Sequence, residues 1–137
     1  MTSFSLKSAF IWALMLQTSA TAFGHGEDKY GPNGGYIRMP GAFHTELVQA
    51  SDQTFKVYLL DIHWQNPTIK NSSLDATIQL KGETAAASCK PSDTHFVCSL
   101  PKGKSLSSAK EVSLIARRDG AVGGPAKYAF PLKLVTH

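Results

Sequence analysis

The chain has 137 residues, a formal net charge of +4 and 42% hydrophobic residues, enough for one domain with a modest core. Its lysines are scattered, as in "KGKSLSSAK", and no basic stripe is interleaved with aromatics; that argues against nucleic-acid binding. No GxSxG, HExxH, P-loop or dinucleotide fingerprint occurs, so no enzyme motif is legible.

The first segment reads as a secretory leader. Lys7 is the only charge before Glu27, and the apolar run Phe10–Leu16 is too short to span a bilayer, which takes ~20 residues. Ser19, Ala20, Thr21 and Ala22 follow, the small residues a signal peptidase accepts. Cleavage is expected after Ala22, with Gly24 as the second choice, so residues 1–22 are the leader and 23–137 the domain. No later run is long and apolar enough for a membrane helix. A periplasmic or secreted protein is expected.

Next comes "GPNGG", Gly31 to Gly35. Pro32 removes a backbone donor and no strand precedes it, so it reads as a turn rather than a phosphate cradle. Period-2 segments then dominate. "AFHTELVQ" alternates Phe43, Thr45 and Leu47 with His44, Glu46 and Val48. "TFKVYLLDIHW" alternates Phe55, Val57 and Leu59 with Lys56, Tyr58 and Leu60. A hairpin turning at Ser51-Asp52 sets His44 opposite Leu59 and Met39 opposite Trp64. "LDATIQLKG" puts Leu74, Ala76, Ile78 and Leu80 on one face.

"AAASCK" and "HFVCSL" are expected to form a second hairpin around Asp93-Thr94. Counting outward pairs Ser92 with His95, Pro91 with Phe96, Lys90 with Val97 and Cys89 with Cys98. Opposed strand residues lie within disulfide reach, and an even cysteine count in an exported chain favours the bridge over a thiolate metal site. "SLSSAKE" hints at a helical turn; "EVSLIARR" and "AKYAFPLKL" complete the strands around "DGAVGGP". About seven or eight short strands in ~110 residues predict an all-β fold, an immunoglobulin-like antiparallel β-sandwich, with a small β-barrel as the alternative.

The histidines carry what functional signal there is. After cleavage at Ala22, His25 is the third residue, and its imidazole, two backbone amides and the amine make a square-planar set suited to Cu(II). After cleavage at Gly24, His25 is first and chelates copper through amine and ring; a copper enzyme would need that cut. His44 and Glu46 are two apart on a strand and point the same way, as Asp61 and His63 are expected to do on the next. Met39 beside His63 and Trp64 would suit Cu(I), which favours thioether sulfur.

His25-Gly26, "GPNGG", Gly41, His44-Thr45-Glu46-Leu47-Val48 and "VYLLD" together resemble a small domain of bacterial heavy-metal efflux. That domain precedes the periplasmic adaptor proteins of cobalt–zinc–cadmium-type pumps and also occurs as small stand-alone exported proteins. The resemblance covers roughly residues 24–61. It implies a periplasmic β-sandwich in metal handling, with His25 as the leading histidine and His44 and Glu46 as the H-x-E strand. Members are richer in histidine around the GP-x-GG turn, where this chain has Asn33.

The expected function is therefore a periplasmic metal-binding accessory protein, a non-catalytic carrier or sensor for a copper or zinc ion. The expected ligands are His25, His44 and His63, with Glu46 and Met39 as further donors, and the expected partner is an envelope efflux or metal-transfer protein. The competing expectation is a non-metal protein-interaction module of the cell envelope.

Overall fold

The computed structural model describes residues 27–135. Ten strands follow in chain order: β1 Tyr36–Arg38, β2 His44–Gln49, β3 Thr54–Leu60, β4 Ser73–Leu80, β5 Glu83–Ala86, β6 Ser88–Ser92, β7 His95–Ser99, β8 Ala109–Arg118, β9 Ala121–Val122 and β10 Ala126–Ala129. One turn of 3-10 helix, Leu106–Ser108, precedes β8 and is capped by the Ser105 side chain. It falls inside the "SLSSAKE" stretch. No helix among the described residues is long and apolar enough to cross a membrane.

All pairings are antiparallel and make two sheets. The first runs β1-β2-β3-β7-β6 and the second β10-β8-β4-β5, with β9 paired to β8. The fold is a β-sandwich; the two sheets remain separate rather than closing into a barrel. Alternation explains the packing. Phe43, just before β2, and Leu47, Phe55, Val57 and Leu59 from the first sheet meet Leu74, Ile78, Val112, Leu114 and Tyr128 from the second. β4 shows the pattern cleanly, exposed and buried residues alternating along its length.

The strand count exceeds the expected seven or eight for physical reasons. β1 is three residues long, too short for periodicity to mark. "AAASCK" is not one strand: Glu83–Ala86 pairs with β4, and Ser88–Ser92 pairs with β7 in the other sheet. The Ala87 N–H donates to the Ala76 carbonyl at the corner, so the chain changes sheets there. The last strand stops at Ala129 because Pro131, two residues on, has no N–H for the ladder.

The cysteine hairpin has the expected register, Cys89↔Cys98 through Ser92↔His95, and the disulfide is formed with Cα atoms 4.0 Å apart. The β2–β3 register differs from expectation by one residue. His44 faces Leu60, not Leu59. The Ala50 and Ser51 N–H groups both donate to the Thr54 carbonyl, and Ser51 Oγ accepts from the Gln53 and Thr54 N–H groups. This side-chain-centred turn is one residue longer than the tight turn assumed. The expected Met39–Trp64 pairing does not form, because β3 ends at Leu60.

Candidate functional site

β2 turns two sets of side chains to opposite faces. Phe43 and Leu47 enter the core, and Thr45 Oγ1 meets the Tyr128 hydroxyl at 2.7 Å. His44 and Glu46 point the other way, as expected. That face is not wet. His44 is 5% exposed, and Glu46, Ile37 and Leu60 are fully buried. Ile37 and Leu60 lie outside the main core cluster, so the outer face of the first sheet carries a second, smaller buried cluster. Two segments flanking the sheet, Gly31–Gly35 and Asp61–Asn66, supply the partners described below.

The turn is fastened by Glu46. Its Oε2 accepts from the Asn33 N–H at 2.8 Å and the Gly35 N–H at 2.9 Å, and its Oε1 from Asn33 Nδ2 at 2.8 Å. A buried carboxylate needs such donors. The glycines permit the approach: a Cβ at Gly31 would lie 2.5 Å from the Glu46 carboxylate carbon, and one at Gly35 2.5 Å from the Leu47 carbonyl oxygen. Asn33 thus supplies two of the hydrogen bonds to Glu46, one from its backbone and one from its side chain.

The other segment is organised by Asp61. Its Oδ1 accepts from the His63 and Gln65 N–H groups, both at 2.9 Å, and its Oδ2 from Asn66 Nδ2 at 2.8 Å. These bonds, led by Gln65 and Asn66, hold its carboxyl below the usual carboxylate range. Asp61 and His63 were expected to continue β3 as a same-side pair. They are instead in this loop, with Asp61 holding the backbone and His63 exposed. The loop carries Trp64 at φ 63°, a left-handed conformation uncommon for a bulky residue. Arg118 secures the loop from the second sheet, donating to the Asn66 carbonyl at 2.6 Å and the Leu59 carbonyl at 3.2 Å.

These two devices frame His44. Its Nδ1 lies 3.0 Å from the Asp61 carbonyl oxygen. A carbonyl only accepts, so Nδ1 carries a proton, and in the neutral ring the lone pair is on Nε2. The Trp64 ring meets the imidazole edge-on, centroids 5.9 Å apart. Met39, 37% exposed, directly follows β1. The β1–β2 ladder ends at the pair Arg38–Thr45, the residues just before Met39 and just after His44. Residues from two expected groupings are thereby in contact: His44 from the strand pair and Trp64 from the Cu(I) set.

Further along this face Tyr58 stands opposite Glu46 and stacks on His95, centroids 4.8 Å apart. Burial, then the charges of Glu46 and Asp93, push the Tyr58 hydroxyl upward. No group of three His, Cys, Asp or Glu side chains that could hold a metal ion occurs among the described residues. His25 lies outside the described residues. Neither the known protein families nor the curated proteins nor the solved structures include a match to this chain.

The Asn33–Glu46 tie and the His44–Trp64 contact were not legible beforehand. The GP-x-GG spacing marked a turn but not the strand it would rest on. Trp64 was singled out, but with the wrong histidine beside it.

Proposed function

We propose that the protein is a periplasmic metal-binding accessory protein, a non-catalytic carrier of Cu(I) at the edge of its first sheet. The observation that carries the reading is His44: a nearly buried imidazole with Nδ1–H tied to a backbone carbonyl, leaving Nε2 as the donor nitrogen. Metal-binding histidines are characteristically oriented by such a bond. Met39 adds a thioether and Trp64 an aromatic ring at the same edge, and soft sulfur favours Cu(I) over Zn(II).

His25 is the proposed third protein ligand. Glu27 donates its N–H to the Ile37 carbonyl at 3.4 Å, and Met39 is two residues beyond Ile37. Glu46 is occupied by the Asn33–Gly35 turn and orients the fold around the site. His63, exposed on the loop, serves as an entry ligand during transfer. Export is supported by the leader-like first segment and by the disulfide, which is at home in an oxidising compartment.

The test is a chelator-competition titration of the mature chain with Cu(I), Cu(II) and Zn(II). Cu(I) is expected to bind tighter than ~10 μM, about −7 kcal/mol, and to quench Trp64 emission. His44→Ala, Met39→Leu and His25→Ala should each weaken it ~10-fold or more, in line with the loss of one ligand. If none of the three ions binds tighter than that limit, the reading fails. N-terminal sequencing of the exported form fixes whether His25 is first or third.

A second reading, a non-metal interaction module, draws on the exposed apolar residues Met39, which follows β1, Ile62 in the Asp61–Asn66 loop and Val122 in β9. Partner capture that survives chelation and His44→Ala would favour it.

A further inference from the structure

The side of the sandwich bounded by the edge strands β1 and β10 holds a second candidate site, independent of the metal reading. Arg38 bridges the two sheets there. Its Nε donates to the Lys127 carbonyl at 2.9 Å and its Nη1 to the Ile37 carbonyl at 2.8 Å. The guanidinium carbon sits 4.6 Å above the Tyr128 ring centroid. Arg38 is only 7% exposed, yet the sole ion pair among the described residues is Lys104–Glu83. A nearly buried cation with no carboxylate partner among the described residues is unusual, because charges withdrawn from water are ordinarily paired.

Two of its N–H groups reach carbonyls; a guanidinium has five donors. Among the described residues Nη2 has no hydrogen-bond partner and no buried side-chain nitrogen lacks one, so Nη2 is the part that remains accessible. It has an opening to face. A cavity of about 300 Å³ is lined by Arg38, Ala129, Lys133, Leu134 and Val135. The segment that forms its far wall is held alongside β1 by the Tyr36 hydroxyl, which donates to the Leu132 carbonyl at 3.4 Å. The cavity therefore combines a fixed guanidinium, a second cation on a flexible stem and an apolar wall.

We propose that this cavity binds a small organic monocarboxylate with a short apolar tail. The carboxylate takes the free N–H groups of Arg38 in the planar geometry a guanidinium favours. Lys133 adds a point charge from the cavity rim, and the tail lies along Ala129, Leu134 and Val135. Burial pushes the Arg38 guanidinium down from its usual range, opposed by Tyr128; an anion in the cavity relieves the same cost. The apolar wall disfavours sulfate and phosphate, which need hydrogen bonds on every side.

The test is an NMR titration of the mature chain, observing the Arg38 Nε–H and the backbone amides of Leu134 and Val135. The probes are hexanoate, 1-hexanol and sulfate. Hexanoate should move these signals saturably with a Kd below ~1 mM, while hexanol and sulfate should not saturate. Lys133→Ala should weaken hexanoate about 3- to 10-fold without changing the unfolding midpoint, and Arg38→Lys, which keeps the charge but loses the fork, at least ~10-fold. An equal response to hexanol or sulfate, or an unchanged Kd in Lys133→Ala, overturns the proposal. So does hexanoate binding that appears only once residues 136–137 are removed, which would make the chain's own last residues the occupant.

Discussion

Glu46 shows how one side chain sets the architecture around it. The carboxylate is fully buried and bound by the Asn33 and Gly35 N–H groups and the Asn33 amide. Gly35 is buried, so its N–H would otherwise be stranded beside the sheet. Glu46→Ala removes the acceptor and leaves space beneath Gly31, so it should cost ~2–4 kcal/mol, the range for breaking a buried hydrogen-bond network. A urea unfolding midpoint measures it, with the slope unchanged. A near-neutral result would mean that water replaces the carboxylate. The sequence marked Glu46 as a metal donor through its spacing from His44. Spacing could show that the two share a face, but not that the turn around Asn33 would occupy its oxygens.

At the scale of elements, the loop from Asp61 to Asn66 determines what stands beside His44. Its shape depends on an ionised Asp61, whose folded pKa is depressed by the bonds it accepts from Gln65, Asn66 and His63. The sign follows from that depression. The ordering contribution is fully present above the ordinary carboxylate pKa of ~3.9 and is lost as pH falls through the lower, folded value. Trp64 is the only tryptophan among the described residues, so in a chain lacking residues 1–22 its emission reports the loop. Wild type should show an acid transition below the ordinary carboxylate range, and Asp61→Ala should give the acid-form signal already at neutral pH. A transition unaffected by Asp61→Ala would place the control elsewhere. The two hairpins differ in how far the sequence revealed them. The Cys89–Cys98 hairpin was legible because its short turn and its disulfide both fix one register. The β2–β3 hairpin was misjudged by one residue because Ser51 enlarges the turn through its side chain, and turn length sets register.

Across the whole molecule, the sheets are joined by more than apolar packing. The buried Tyr128 hydroxyl of the second sheet meets Thr45 Oγ1 at 2.7 Å and the Thr45 carbonyl at 3.0 Å in the first. Burial pushes that hydroxyl well above the usual tyrosine range, so it stays a neutral donor. Tyr128→Phe leaves Thr45 without its partner and should cost ~1–3 kcal/mol. Adding Thr45→Val should cost less than the sum of the single changes, since removing both partners relieves the stranded group. Additivity in a thermal or urea double-mutant cycle would refute the coupling.

By itself the sequence determined the strand-rich class, the alternating faces of β2 and β4, the cysteine pairing and the leader-like first segment. Those features rest on local periodicity and short turns, which neighbouring residues settle among themselves. Only the tertiary structure decided that the outer face of β2 is buried, that Glu46 holds the Asn33 turn, that Leu60 rather than Leu59 faces His44 with Trp64 edge-on to it, and that Arg38 closes the open side above Tyr128. Each of these joins segments far apart in the chain, and their meeting depends on register, on the sheet change at Ala87 and on loops shaped by their own hydrogen bonds.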